Sequence, residues 1–172
     1  AQRLATLPKP VVAAGRGMAA GAGASLSLLA DLRIGGPKTA FLMAFANVGL
    51  AGDTGISWSL PRIVGHARAL ELLLLAEPVR SADAYAMGLL SRLVDDDEQV
   101  LPVAPDLAAR LAAGPTVAYG AIKRELSIGD AGTLSDALAA EAQAQAICGR
   151  TADHRNAVES FVAKQQPVYE GK

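Results

Sequence analysis

The sequence predicts a layered α/β domain, and three observations lead there. An apolar, β-branched run, Pro10-Val11-Val12-Ala13-Ala14, enters a glycine-rich turn spanning Gly15 to Gly23. The chain leaves that turn into Ala24-Ser25-Leu26-Ser27-Leu28-Leu29-Ala30, small or helix-favouring residues that read as a buried helix. Strand-like runs then cluster in the first half, while everything from Gln99 onward reads helical. A strand–turn–helix unit followed by segregated strands and helices is the pattern of an α/β or α+β layered domain.

In order, Ala1 to Leu7 reads as the tail of a helix closed by Pro8 and Pro10, and 10–14 as a short buried strand. The segment 31–36 is a second strand; 39–41 and 47–50 are further extended pieces. Ile56 to Leu60 is a helix ended near Pro61 and Gly65, with Asp53 at its N-cap. His66 to Leu75 is a helix closed by Pro78. Ser81 to Met87 is another, capped by Ser81 and stopped at Gly88. Residues 89–94 are extended, and Asp95-Asp96-Asp97-Glu98 forms a solvated turn that caps the next helix. Four helices follow, over about 99–113, 116–128, 135–148 and 155–165, the first two separated by Gly114-Pro115. The boundary between a core region and a helical region is expected after residue 98.

Composition narrows the function. At 172 residues and 51% hydrophobic content, the chain can bury a real core. Its net charge of −1 comes without a basic stripe, so nucleic acid is not an expected partner. One cysteine, Cys148, excludes an intrachain disulfide and suits a reducing cytoplasm. His66 and His154 lack ligand-like spacing, so no metal site is expected. The apolar runs are interrupted by Asp31, Arg33 or Glu71 before they could span a membrane. The first residues carry no signal-peptide pattern and no initiating Met, so the chain is expected to begin within a longer protein.

The turn admits two readings. A strand that stops on glycines and restarts as a helix leaves free N–H groups at the positive end of a helix dipole. These suit an anion or a carbonyl oxygen gaining negative charge, and the small residues Ala19 to Gly23 let a ligand approach the backbone. Alternatively, the glycines serve only tight helix–strand packing.

The ordered blocks Lys9-Pro10-Val11-Val12-Ala13-Ala14, Gly17-Met18-Ala19-Ala20-Gly21-Ala22-Gly23 and Asp31-Leu32-Arg33-Ile34 resemble the enoyl-CoA hydratase/isomerase (crotonase) superfamily. The resemblance continues through Val48-Gly49-Leu50, Asp53-Thr54-Gly55, Leu60-Pro61-Arg62-Ile63-Val64-Gly65 and Ala84-Tyr85-Ala86-Met87-Gly88-Leu89, and reaches Phe161-Val162-Ala163-Lys164. It implies a spiral of β-β-α units over 1–98 and a helical C-terminal trimerisation region over 99–172, with the N-terminal part of the fold absent. It also implies an acyl-CoA thioester substrate, a homotrimer or hexamer, and no cofactor beyond the coenzyme A of the substrate.

By the same resemblance, the Ala22 N–H, flanked by Gly21 and Gly23, is one of two donors to the thioester oxygen. The second donor and the adenine loop belong to the absent upstream segment. The two glutamates of true hydratases correspond to Ser25 and Phe45, which leaves Asp53 at the position of aspartate-dependent isomerases. Residues 48–55 look most like the ring-epoxide isomerases of phenylacetate catabolism, although Gly52 replaces their usual proline. A lone carboxylate beside a polarised thioester moves a proton between carbons without water. Phe41, Phe45, Leu50 and Trp58 are expected to form an apolar wall that excludes water. Lys164 is read either as a contact to a CoA phosphate or as a solvated surface lysine.

The expectation is therefore an acyl-CoA isomerase using Asp53, with a hydratase or a non-catalytic acyl-CoA-binding subunit as alternatives. A rival pattern, Gly15-x-Gly17-x-x-Ala20, fits a dinucleotide fingerprint. It lacks the acid expected about twenty residues on, where Gly35, Gly36, Pro37 and Lys38 stand.

Overall fold

A computed structural model describes residues 1–172. Packing divides the chain into two compact units, Ala1–Ala5 with Val11–Leu107 and Thr6–Pro10 with Ala108–Lys172. The division falls between Leu107 and Ala108 rather than after Glu98, because the helix that starts in the acidic run begins within the first unit.

In the first unit, helix α1 (Gln2–Ala5) precedes strand β1 (Val12–Gly15). The glycine stretch is not one turn. β1 ends at Gly15, Gly17 turns the chain with a left-handed φ of 75°, and a short strand β2 (Met18–Ala20) follows before helix α2 (Ala22–Leu28). This arrangement removes the dinucleotide reading, which needs the helix to open directly from the first glycine turn. Strands β3 (Leu32–Gly35) and β4 (Ala40–Leu42) come next. β1 pairs parallel with β3, Val12 opposite Leu32, and β2 pairs parallel with β4, Met18 opposite Ala40. Each β-β-α passage therefore places its two strands in different sheets before entering a helix.

The segment expected to be extended at 47–50 is instead a single 3-10 turn, Ala46–Val48. Gly49 is left-handed at φ 71°, and the Leu50 N–H donates to the Phe45 carbonyl at 3.0 Å. Helices α3 (Ile56–Val64) and α4 (His66–Leu75) follow, with Pro61 inside α3 and Gly65 dividing the two. A two-residue strand β5 (Val79–Arg80) joins β4 antiparallel and leads into α5 (Ser81–Ala86). Ser81 is the first residue of α5 rather than its cap, and its hydroxyl donates to the Pro37 carbonyl at 3.0 Å. Gly88 closes the helix at φ 82°, as its position predicts. Strand β6 (Arg92–Leu93) then completes the first sheet, in the order β1-β3-β6.

One apolar cluster holds these elements together, with Phe41, Met43, Phe45, Ile56, Leu60 and Leu89 inside it. Arg33 is buried on β3, and its guanidinium donates to three carbonyls: Leu89 at 2.7 Å, Ala30 at 2.6 Å and Gly88 at 3.2 Å. Burial lowers its pKa from the usual guanidinium range, and Asp31 opposes the shift. Arg33 thus ties the turn after α5 to the sheet. Helix α6 (Asp97–Ala112) starts in the acidic run, where Asp96 accepts from the Glu98 N–H at 3.1 Å. It packs so closely on Gly36 that a Cβ there would lie 2.9 Å from the Asp97 Cα. Gly36→Ala is therefore expected to destabilise the chain by about 1–3 kcal/mol, read as a lower urea midpoint.

In the second unit, α7 (Thr116–Gly129) packs on α8 (Leu134–Cys148), which opens with a reciprocal capping box between Thr133 and Asp136. Helix α9 (Ala152–Val162) starts earlier than Arg155 because the Thr151 hydroxyl accepts from the His154 N–H at 3.0 Å. The chain then doubles back. Asp153, 2% exposed, accepts from the Glu170 N–H at 2.6 Å and the Gly171 N–H at 3.0 Å, and its own N–H donates to the Lys172 carbonyl. No sequence signal marked this clamp.

Candidate active site

Gly21 caps α2 with φ 51° and ψ −122°, a backbone region open essentially to glycine alone. Two bonds hold it there: its N–H donates to the β4 carbonyl of Leu42 at 2.9 Å, and its own carbonyl accepts from the Ser25 hydroxyl at 3.2 Å. The helix begins at Ala22, so the Ala22 and Gly23 N–H groups have no acceptor within it. Both residues are exposed, and nothing lies within 4 Å of where a Gly23 Cβ would sit. The start of α2 is thus an open pair of donors on a rigid support.

Beneath that turn lies Phe45, whose Cε1 would be 3.9 Å from a Cβ at Gly21. Phe45 and Ser25 are both buried. Ser25 faces inward and braces Gly21, so neither residue offers a titrating group to a ligand at the turn.

The Asp53 loop adjoins α3, which packs on α2. Asp53 does not cap α3 with its side chain. Its carbonyl accepts from the Ile56 N–H at 3.1 Å, across a tight turn in which Thr54 and Gly55 have φ values of 55° and 90°. Gly55 takes the N-cap position, and the exposed Asp53 carboxylate accepts from the Thr54 hydroxyl at 2.9 Å through Oδ1. A Cβ at Gly52 would run into the Ile56 side chain.

The expected apolar wall forms only in part. Phe41 and Phe45 lie in the core, but Leu50 is 65% exposed and Trp58 45% exposed, with the Arg62 guanidinium stacked 4.4 Å from the Trp58 ring. These two side chains do not enclose Asp53, because the 3-10 turn and the outer face of α3 direct them to solvent.

Lys164 lies in the second unit, at the reversal after α9. The Gln165 N–H donates to the Ser160 carbonyl and the Lys164 N–H to that of Phe161, which forces Lys164 to φ 54° where glycine is the usual residue. Lys164→Gly is expected to raise stability by about 0.5–1 kcal/mol, read by thermal denaturation. Cavities of about 390 Å³, along α7 and α8, and about 190 Å³, beside Cys148 and His154, are lined wholly by the second unit. Neither contains a residue singled out at the turn. No helix is long and apolar enough to cross a membrane.

The family model described as enoyl-CoA hydratase/isomerase matches residues 1–172. The chain is 42% identical to the 1,2-epoxyphenylacetyl-CoA isomerase of Escherichia coli K12 over 99% of its own length and 65% of that protein's. It is 40% identical to a Rhodobacter capsulatus protein named "Probable enoyl-CoA hydratase", covering 99% of this chain and 66% of that one. The fold superposes with a TM-score of 0.96 on a Mycobacterium abscessus crystal structure described as a "putative Enoyl-CoA hydratase/isomerase", at 40% identity, covering 99% of this chain and 65% of that one. This chain therefore spans slightly less than two thirds of the length of the relatives it matches. The alternation of strands between two sheets, the glycine-capped helix start and the family match agree: the chain belongs to the enoyl-CoA hydratase/isomerase family and has the crotonase fold.

Proposed function

We propose that this chain carries the core of an acyl-CoA isomerase that rearranges an enoyl- or arylacetyl-CoA thioester with one aspartate. The observation that carries the reading is the set of groups at the turn. Ser25 and Phe45 are buried and hold no carboxylate, whereas Asp53 is exposed. In this reading the Ala22 N–H donates to the thioester oxygen as a C–H bond beside the carbonyl breaks and its electron pair moves toward that oxygen. Asp53 takes the proton and returns it to another carbon, so no water is added. Leu50 and Trp58 present apolar surface to the acyl group, and Lys164 is proposed as a contact to a CoA phosphate. The E. coli relative's named substrate, an epoxyphenylacetyl-CoA, makes a ring epoxide the first substrate to try. Large exposed side chains in the second unit, among them Phe161, Val162 and Leu134, support a homotrimer or hexamer.

A hydratase is the second reading, favoured by the exposure of Asp53 and Trp58 to water and by the name of the R. capsulatus relative. An ultraviolet assay with a 3-enoyl-CoA, crotonyl-CoA and the phenylacetyl-CoA ring epoxide separates the two. Isomerisation without hydration of crotonyl-CoA is expected; hydration as the main activity would overturn the isomerase reading.

A further inference from the structure

The turn before α3 has a type I′ shape, with positive φ at both central residues: Thr54 at 55° and Gly55 at 90°. The first central position of such a turn favours Asn, Asp or Gly. A β-branched threonine there is an outlier, because its second Cβ substituent crowds the backbone in the left-handed region. Only two other non-glycine residues in the chain, Ala76 and Lys164, have positive φ, and neither is β-branched. Thr54 itself is half-buried in this loop. Its hydroxyl has a partner: Thr54 Oγ1 donates to Asp53 Oδ1 at 2.9 Å.

The geometry points to Thr54 as a positioning residue for the Asp53 carboxylate, an inference that rests on Asp53 being the base proposed above. With Oδ1 occupied by the Thr54 hydroxyl, the carboxylate has one preferred rotamer, and Oδ2 is the oxygen left to act. A C–H bond of the thioester breaks, an O–H bond forms at Oδ2, and the electron pair is held by the thioester oxygen. The reverse transfer then places the proton on a different carbon and regenerates the carboxylate. Glycine would relax the turn but leave Oδ1 without its donor, so the fold and the chemistry make opposite demands at residue 54.

Opposite demands give a test that a merely structural residue would fail. Thr54→Gly, Thr54→Ser and Thr54→Val are compared with Asp53→Asn in the isomerase assay and by thermal melting. Thr54→Gly is expected to melt no lower than the parent, and by about 2 °C higher if the strain is fully relieved, while kcat falls about tenfold at unchanged KM. Thr54→Val, which keeps the shape without the hydroxyl, should lose kcat similarly, and Thr54→Ser should recover most of it. Full kcat in Thr54→Gly, or a loss in Thr54→Ser as deep as in Thr54→Gly, overturns the positioning role while an inactive Asp53→Asn leaves the base intact. Activity retained in Asp53→Asn overturns the base itself, and the positioning role with it.

Discussion

Under the isomerase proposal, Asp53→Asn is expected to cut turnover by about a hundredfold or more while leaving the fold unchanged. The side chain is exposed, and the hydrogen bond it accepts from the Thr54 hydroxyl can be kept by an amide oxygen. The substitution therefore removes charge and basicity but little packing, and stability should stay within about 0.5 kcal/mol. A positioned proton-transfer group contributes about 10²–10⁴-fold to rate. With Ser25 and Phe45 unable to substitute for it, the loss in kcat should reach at least the lower end of that range. Circular dichroism and melting temperature establish the unchanged fold, and the thioester assay measures the loss. A variant that folds and turns over at the parental rate would remove Asp53 from the chemistry, leaving the donors of α2 as a binding device alone.

How much of this was legible in the sequence depends on how local each signal is. β1, the helix after the glycines and the Gly88 stop were readable because one short window determines each. β2 and β5 were not: Met18-Ala19-Ala20 carries no β-branched residue, and these strands exist because β4 lies beside both of them. The Asp53 loop was misread for a related reason. Asp before Thr-Gly and an apolar run looks like an N-cap, yet two successive left-handed residues move the cap to Gly55 and free the carboxylate. Leu50 and Trp58 show that residue type does not determine burial, since both are apolar and both face solvent. Glycine at position 21 was visible, but the reason for it was not. The Leu42 carbonyl and the Ser25 hydroxyl that fix its conformation come from different levels of the fold, one from a neighbouring strand and one from the next helical turn.

That conformation makes the contrast between Gly21→Ala and Gly23→Ala a direct probe of the turn. At Gly21 the clash is with the backbone itself, since φ 51° with ψ −122° excludes a Cβ whatever space surrounds it. Alanine there should cost about 1–3 kcal/mol and rotate the following peptide, which carries the Ala22 N–H. Misplacing one donor to a developing oxyanion costs about 10²–10³-fold in kcat. Gly23 is the opposite case. It lies inside α2, has no positive φ, and an added Cβ meets nothing within 4 Å. Alanine in a helix is favoured over glycine by about 0.5–1 kcal/mol, so Gly23→Ala should raise the melting temperature. If an acyl-CoA thioester approaches the backbone here, the same methyl group occupies the substrate's space and KM should rise severalfold with kcat less affected. A stabilised Gly23→Ala with a raised KM, beside a destabilised Gly21→Ala with a collapsed kcat, would locate the thioester at the start of α2. A Gly23→Ala enzyme with parental kinetics would mean that the open space over those donors is not where the substrate sits.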